Sequence, residues 1–108
     1  MNDSMPEFSF DPGLCIFTSQ AFEALLEHRV PPGLVVDAHV ALLPGAMSVV
    51  QLQQRLMAVL SGTHVVSHFR LKSELFGPAD ADLVVTTNAD RQTTLVQLVE
   101  EVDTNRNN

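Results

Sequence analysis

The segment Asp82-Leu-Val-Val-Thr-Thr-Asn-Ala-Asp-Arg-Gln-Thr-Thr-Leu-Val-Gln-Leu-Val-Glu-Glu-Val102 most constrains the fold. It consists of two runs of Val, Thr and Leu broken by Asn88-Ala-Asp-Arg-Gln92. Branched residues fit a pleated, half-buried surface, and Asn and Asp tolerate turn backbone. The pattern predicts a β-hairpin. Upstream, residues 63–71 alternate: Val65, Ser67, Phe69 and Leu71 point one way, and His64, Val66, His68 and Arg70 point the other. Together the three runs predict a three-stranded antiparallel meander over about 63–71, 82–88 and 93–101.

The rest of the chain reads mainly as helix. Thr18 or Ser19 offers a capping oxygen, Glu23 follows in the first turn or so, and Ala21, Phe22, Leu25 and Leu26 share a face. Pro31-Pro32 ends this helix, giving a span of about 19–29. Residues 33–43 fit a buried strand by their Val content, or a helix with Pro32 at its first position and Pro44-Gly45 past its end. The length of the run favours helix. A third helix spans about 47–61, where Val49, Leu52, Leu56, Val59 and Leu60 form one face and Met47, Val50 and Met57 widen it. A helix this apolar is covered on more than one side, and a second copy of the chain is the natural cover. Leu14–Phe17 fits a short strand or the lead into the first helix. The expected class is α+β, with the helices packed on one face of the meander. Residues 1–13 are expected as a flexible arm with Phe8 or Phe10 docked, 14–103 as a single domain, and 104–108 as a disordered tail.

Charge narrows the function. Six Lys and Arg oppose thirteen Asp and Glu, for a net charge of −7. Direct nucleic-acid binding, which depends on basic contacts to phosphate, is not expected, nor is binding to an anionic membrane. No apolar run approaches the ~20 residues of a membrane span. The opening Met1-Asn-Asp-Ser lacks a basic region leading into an apolar stretch, so a cytoplasmic location is expected. The single cysteine, Cys15, lies in the apolar Leu14-Cys-Ile-Phe17 and reads as a packed thiol.

No chemistry-bearing motif stands out. His64 and His68 have metal-like spacing, but on a strand they stand roughly 13 Å apart and read as solvent-face residues. Cys15 with a distant His, or Asp37 with His39, lacks any local signature of catalysis. Asp90-Arg91 reads as turn chemistry with an exposed ion pair. The five glycines are scattered and form no phosphate loop, and no cofactor is expected.

Two stretches carry a resemblance: Phe17-Thr-Ser-Gln-Ala-Phe-Glu-Ala-Leu-Leu-Glu-His28, and Leu83-Val-Val-Thr-Thr-Asn-Ala-Asp-Arg-Gln-Thr-Thr-Leu-Val-Gln-Leu98. They resemble a family of short plasmid-related proteins carried on conjugative plasmids and integrative elements of proteobacteria. Ala89-Asp90-Arg91 and Thr93-Thr94 match its strand, turn and strand pattern, while Leu42-Leu-Pro-Gly-Ala46 replaces an acidic, Trp-containing segment. The resemblance implies a genomic context and no active site. The expected function is a non-enzymatic accessory or interaction protein of a mobile element, homodimeric and with a further protein partner. The alternative is an acidic nucleic-acid mimic that inhibits a host defence enzyme. Val50 and Met57 on the third helix, Leu75 and Phe76 in the long connection, and His64, His68 and Arg70 on the first meander strand are the candidate interaction residues.

Overall fold

Alternating burial builds the sheet from strands β1 (Leu14–Phe17), β2 (Val65–Leu71), β3 (Ala81–Thr87) and β4 (Thr93–Leu98). The computed structural model describes residues 10–73, 75 and 77–106, with only the backbone of 103–106. β2, β3 and β4 pair antiparallel in sequence order, as the alternation predicts, with Ser67 opposite Val85 and Val85 opposite Val96. The sheet nevertheless has four strands and is mixed, in the order β1-β4-β3-β2. β1 runs parallel to β4, with Cys15 beside Thr94 and Phe17 beside Val96. The three-stranded meander is corrected accordingly: a short N-terminal strand satisfies the backbone along the free side of β4.

Four helices complete the described residues: α1 (Ser19–Glu27), α2 (Pro32–Val40), α3 (Val49–Ser61) and α4 (Val99–Arg106). Local chemistry sets their ends. The Thr18 hydroxyl accepts from the Ala21 amide at the start of α1. Arg29 turns the chain at positive φ. Pro32 occupies the first turn of α2, so residues 33–43 resolve as helix and end at Val40. Ser48 and Gln51 form a reciprocal capping box on α3, and Gly62 closes it at a φ of 77°. α4 takes over Glu100 and Glu101, which the sequence placed in the third meander strand, and continues through Arg106. Its start is fixed by the Glu101 carboxylate, which accepts from the Leu98 amide and from the Thr18 hydroxyl. One acidic side chain thereby ties the β1–α1 junction to the β4–α4 junction.

The core lies between one sheet face and two helices. Ala21, Ala24 and Leu25 of α1 and Val35 and Val36 of α2 pack on Leu71, Leu83, Val85 and Val96. α3 contributes no residue to this cluster. It lies alongside β2, the edge strand, and reaches the inner face of the sheet through Arg55. On α1, Phe22 and Leu26 are exposed, and the two alanines and Leu25 take the buried positions.

Candidate functional site

A chain of buried polar side chains runs through the inner face of the sheet. His39 of α2 has no exposed surface and sits between two strands. Its Nδ1 lies 2.6 Å from Ser67 Oγ of β2, and its Nε2 lies 2.8 Å from Thr87 Oγ1 of β3. Thr87 Oγ1 lies 2.6 Å from Thr94 Oγ1 of β4, and Thr94 donates to the Pro12 carbonyl at 2.6 Å. At the other end, Arg55 of α3 donates from Nη1 to Ser67 Oγ at 2.8 Å and from Nη2 to the Leu42 carbonyl at 2.7 Å.

The directions of these bonds follow by elimination. A carbonyl only accepts, so the Thr94 proton goes to Pro12 and Thr94 must accept from Thr87. Thr87 has then spent its proton and must accept from His39 Nε2–H. A neutral imidazole leaves Nδ1 bare to accept from Ser67, which in turn accepts from Arg55. Neutrality is what the surroundings impose: burial, then the Arg55 and Arg91 guanidinium charges, lower the His39 pKa to about 4. Every donor from Arg55 to Pro12 therefore points the same way. Phe10 lies edge-on to His39, with ring centroids 5.1 Å apart, and Arg91 lies over the Phe10 ring at 5.5 Å.

Ser67 donates to an imidazole as a nucleophilic serine would. Its side chain, however, is fully buried, and a threonine occupies the place of an orienting carboxylate. Its hydrogen bonds hold β2, α2 and α3 together.

Beside this chain a groove opens between α3 and β2, with a volume of about 280 Å³. Met47, Gln51, Gln54 and Arg55 line one side, and His64, Val66 and His68 line the other. The two histidines thus share one concavity, as strand alternation predicts. Among the described residues, no group of three His, Cys, Asp or Glu side chains could hold a metal ion.

The other expected interaction residues are dispersed. Val50 and Met57 are each 60% exposed on the outer side of α3, next to exposed Val49 and Leu60. Leu75 is exposed in the connection between β2 and β3. Phe76 falls outside the described residues, as does Phe8, whereas Phe10 docks. Arg70 forms a two-pronged pair with Asp82, its Nε 2.7 Å from Oδ1 and its Nη2 3.4 Å from Oδ2. Arg91 does not form the ion pair with Asp90 that the turn suggested. Its guanidinium folds back on the carbonyls of Thr63 and Asn88, while Asp90 accepts from the Gln92 amide. Cys15 is half-buried against the core, and burial, then the charges of Asp11 and Asp37, raise its pKa.

Sequence reasoning missed Arg55, His39, Ser67, Thr87 and Thr94 as one unit. The signal was available in part: Ser67 stands at an inward position among Val65, Phe69 and Leu71. A polar residue at a core register demands a polar partner. Comparison with known protein families, with curated proteins and with solved structures found no match for this chain.

Proposed function

We propose that this protein is a non-enzymatic interaction module whose first partner is a second copy of itself, joined through α3, and that it serves as an accessory protein of a mobile element. The observation that carries this reading is the outer face of α3. Val49 is 70% exposed, Val50 and Met57 are each 60%, and Leu60 is 59%. The only formal charge on the helix, Arg55, is turned inward, so nothing on this face repels an identical face. These four side chains share one side of the helix with exposed Gln53 among them, and exposed apolar side chains grouped in this way mark an interface. A two-fold pairing of α3 helices would cover each with the other. A stable dimer needs roughly 800 Å² per partner. The helix, about 20 Å long, would form the centre of that area.

Local pairing of the carboxylates supports this reading over nucleic-acid mimicry. Asp82 is paired with Arg70, Asp80 accepts from the Ser73 amide, and Asp11 and Asp90 accept from turn amides. Two of the six basic groups are similarly committed, which supports the expectation of no direct nucleic-acid binding: Arg70 is paired and Arg91 is bonded to carbonyls. No helix of the described residues is long and apolar enough to cross a membrane.

Sedimentation equilibrium tests the dimer. The wild-type chain should be dimeric at micromolar concentration, and Met57→Glu, which places a charge at the centre of the face, should be monomeric with an unchanged circular dichroism spectrum. A wild-type chain that stays monomeric at high concentration refutes the proposal.

A further inference from the structure

Arg55 is 4% exposed, and both of its described hydrogen-bond partners, Ser67 Oγ and the Leu42 carbonyl, are neutral. Among the described residues no carboxylate pairs with Arg55, so it is a buried cation without a described counter-charge. Removing a guanidinium from water without an anion is costly, and such groups are ordinarily paired. A guanidinium carries five N–H donors. Two are spent, which leaves Nε–H and one hydrogen on each Nη. No buried side-chain nitrogen or oxygen among the described residues lacks a partner, so unbonded Nε must reach solvent. The groove lined by Arg55 is the place where it can do so.

The rest of the groove is suited to an anion. Gln51 accepts the Ser48 amide through Oε1, which leaves its NH₂ group to donate. Gln54, His64 and His68 add further side chains able to donate, and among the described residues no carboxylate lines the groove. Met47 and Val66 supply an apolar wall. A volume of about 280 Å³ exceeds the needs of a bare phosphate, given ~30 Å³ for a water in the liquid, and approaches the lower end of small-molecule sites.

We propose that the groove between α3 and β2 binds a small organic oxyanion, a carboxylate or phosphate monoester, with its charge against Arg55 and its carbon skeleton against Met47 and Val66. The site is distinct from the outer face of α3 and does not depend on dimer formation.

Calorimetric titration of the wild-type chain with butyl phosphate, butyrate, inorganic phosphate and butanol tests the proposal. The two organic anions should bind, the better of them identifying the head group. Inorganic phosphate should bind more weakly, and butanol should not bind. Backbone amide shifts on titration should be confined to residues 47–55 and 64–68. Gln54 is exposed, so Gln54→Glu alters the groove without touching the core. It supplies a counter-charge within the chain, and should raise the melting temperature of the free protein while weakening anion binding by about tenfold or more, the scale of one lost charge-assisted bond. His64→Ala, at an exposed position, should weaken binding several-fold. No binding of any anion at millimolar concentration, butanol binding as well as butyrate, or unchanged affinity in Gln54→Glu would each overturn the assignment.

Discussion

Acidification from pH 7 to 4 should cost this protein about 3 kcal/mol of stability through a single side chain, His39. The imidazole is fully buried and its folded-state pKa is lowered from 6.5 to about 4. Because the folded-state value lies below the unfolded one, the stabilising contribution is fully present above pH 6.5. It is lost as pH falls, because only the unfolded chain takes up the proton. At about 1.4 kcal/mol per unit, a gap of about 2.5 units gives about 3 kcal/mol, a large share of the 5–15 kcal/mol that holds a typical domain. The structural cause is the one-way hydrogen-bond chain. A proton on Nδ1 would confront Ser67 with a second donor beside Arg55 and place two cations on one hydroxyl. The assay is urea unfolding at intervals between pH 7 and 4, followed by far-ultraviolet circular dichroism, since the chain has no Trp and no Tyr. Dilute protein is needed because the isoelectric point is near 4.7. Asp80, whose pKa is lowered chiefly by the Ser73 backbone hydrogen bond, loses its contribution only as pH falls below 3.8, beneath the histidine window. His39→Gln retains a donor and an acceptor but cannot titrate. It should be less stable at pH 7, with a slope against pH flatter by about 1.4 kcal/mol per unit between 6.5 and 4. Parallel curves for the wild type and His39→Gln would refute the reasoning.

Two glycines with left-handed backbone should respond differently to alanine. At Gly45 (φ 57°) a Cβ would press on the His68 carbonyl and lie 2.6 Å from the Phe69 ring, whereas at Gly62 (φ 77°) it would meet nothing within 4 Å. Gly62→Ala should cost about 1 kcal/mol from backbone strain alone and Gly45→Ala at least about twice that; equal urea midpoints for the two variants count against the packing assigned to residues 44–46. Cys15, with its raised pKa and its thiol directed at the Gly13 carbonyl 3.7 Å away, should react slowly with a thiol reagent under native conditions and quickly in denaturant, and rapid native labelling would contradict the placement of the thiol.

The parts of the fold legible in the sequence are those that local spacing determines. Alternation from Val65 to Leu71, the turn at Asn88 and the caps at Thr18 and Ser48 each follow from a few neighbouring residues. β1 was only one of two options because four residues are too few to show a period, and its partner β4 is distant in sequence. α2 was ambiguous because apolar residues surround it, and only the length of the run and its flanking Pro32 and Pro44-Gly45 favoured helix. The switch from β4 to α4 was obscured because Val99 and Val102 continue the strand composition. The deciding contact, Glu101 to the Leu98 amide, lacks the usual Ser, Thr, Asp or Asn at the cap. The groove was half legible. His64 and His68 were placed on the correct face, but nothing singled out Arg55, because helical periodicity cannot reveal a strand docked beside it.

The polar chain also gives the C-terminal hairpin a reading frame. A one-residue slip of β4 that sets Leu95 opposite Thr87 would turn Thr94, Val96 and Leu98 outward and bring Leu95, Gln97 and Val99 to the core face. In apolar content the two sets are equal, one Thr, one Val and one Leu against one Leu, one Gln and one Val, so hydrophobicity discriminates poorly between the registers. The hydroxyls discriminate sharply. In the slipped frame the Pro12 carbonyl loses its donor, Thr87 loses the acceptor for its proton, and the chain from Arg55 ends in the protein interior with no acceptor beyond it. A dry, unmatched polar end costs more than the apolar exchange gains. The network therefore works as an error check on strand alignment, rejecting a misthreaded hairpin that oil-and-water patterning alone would tolerate.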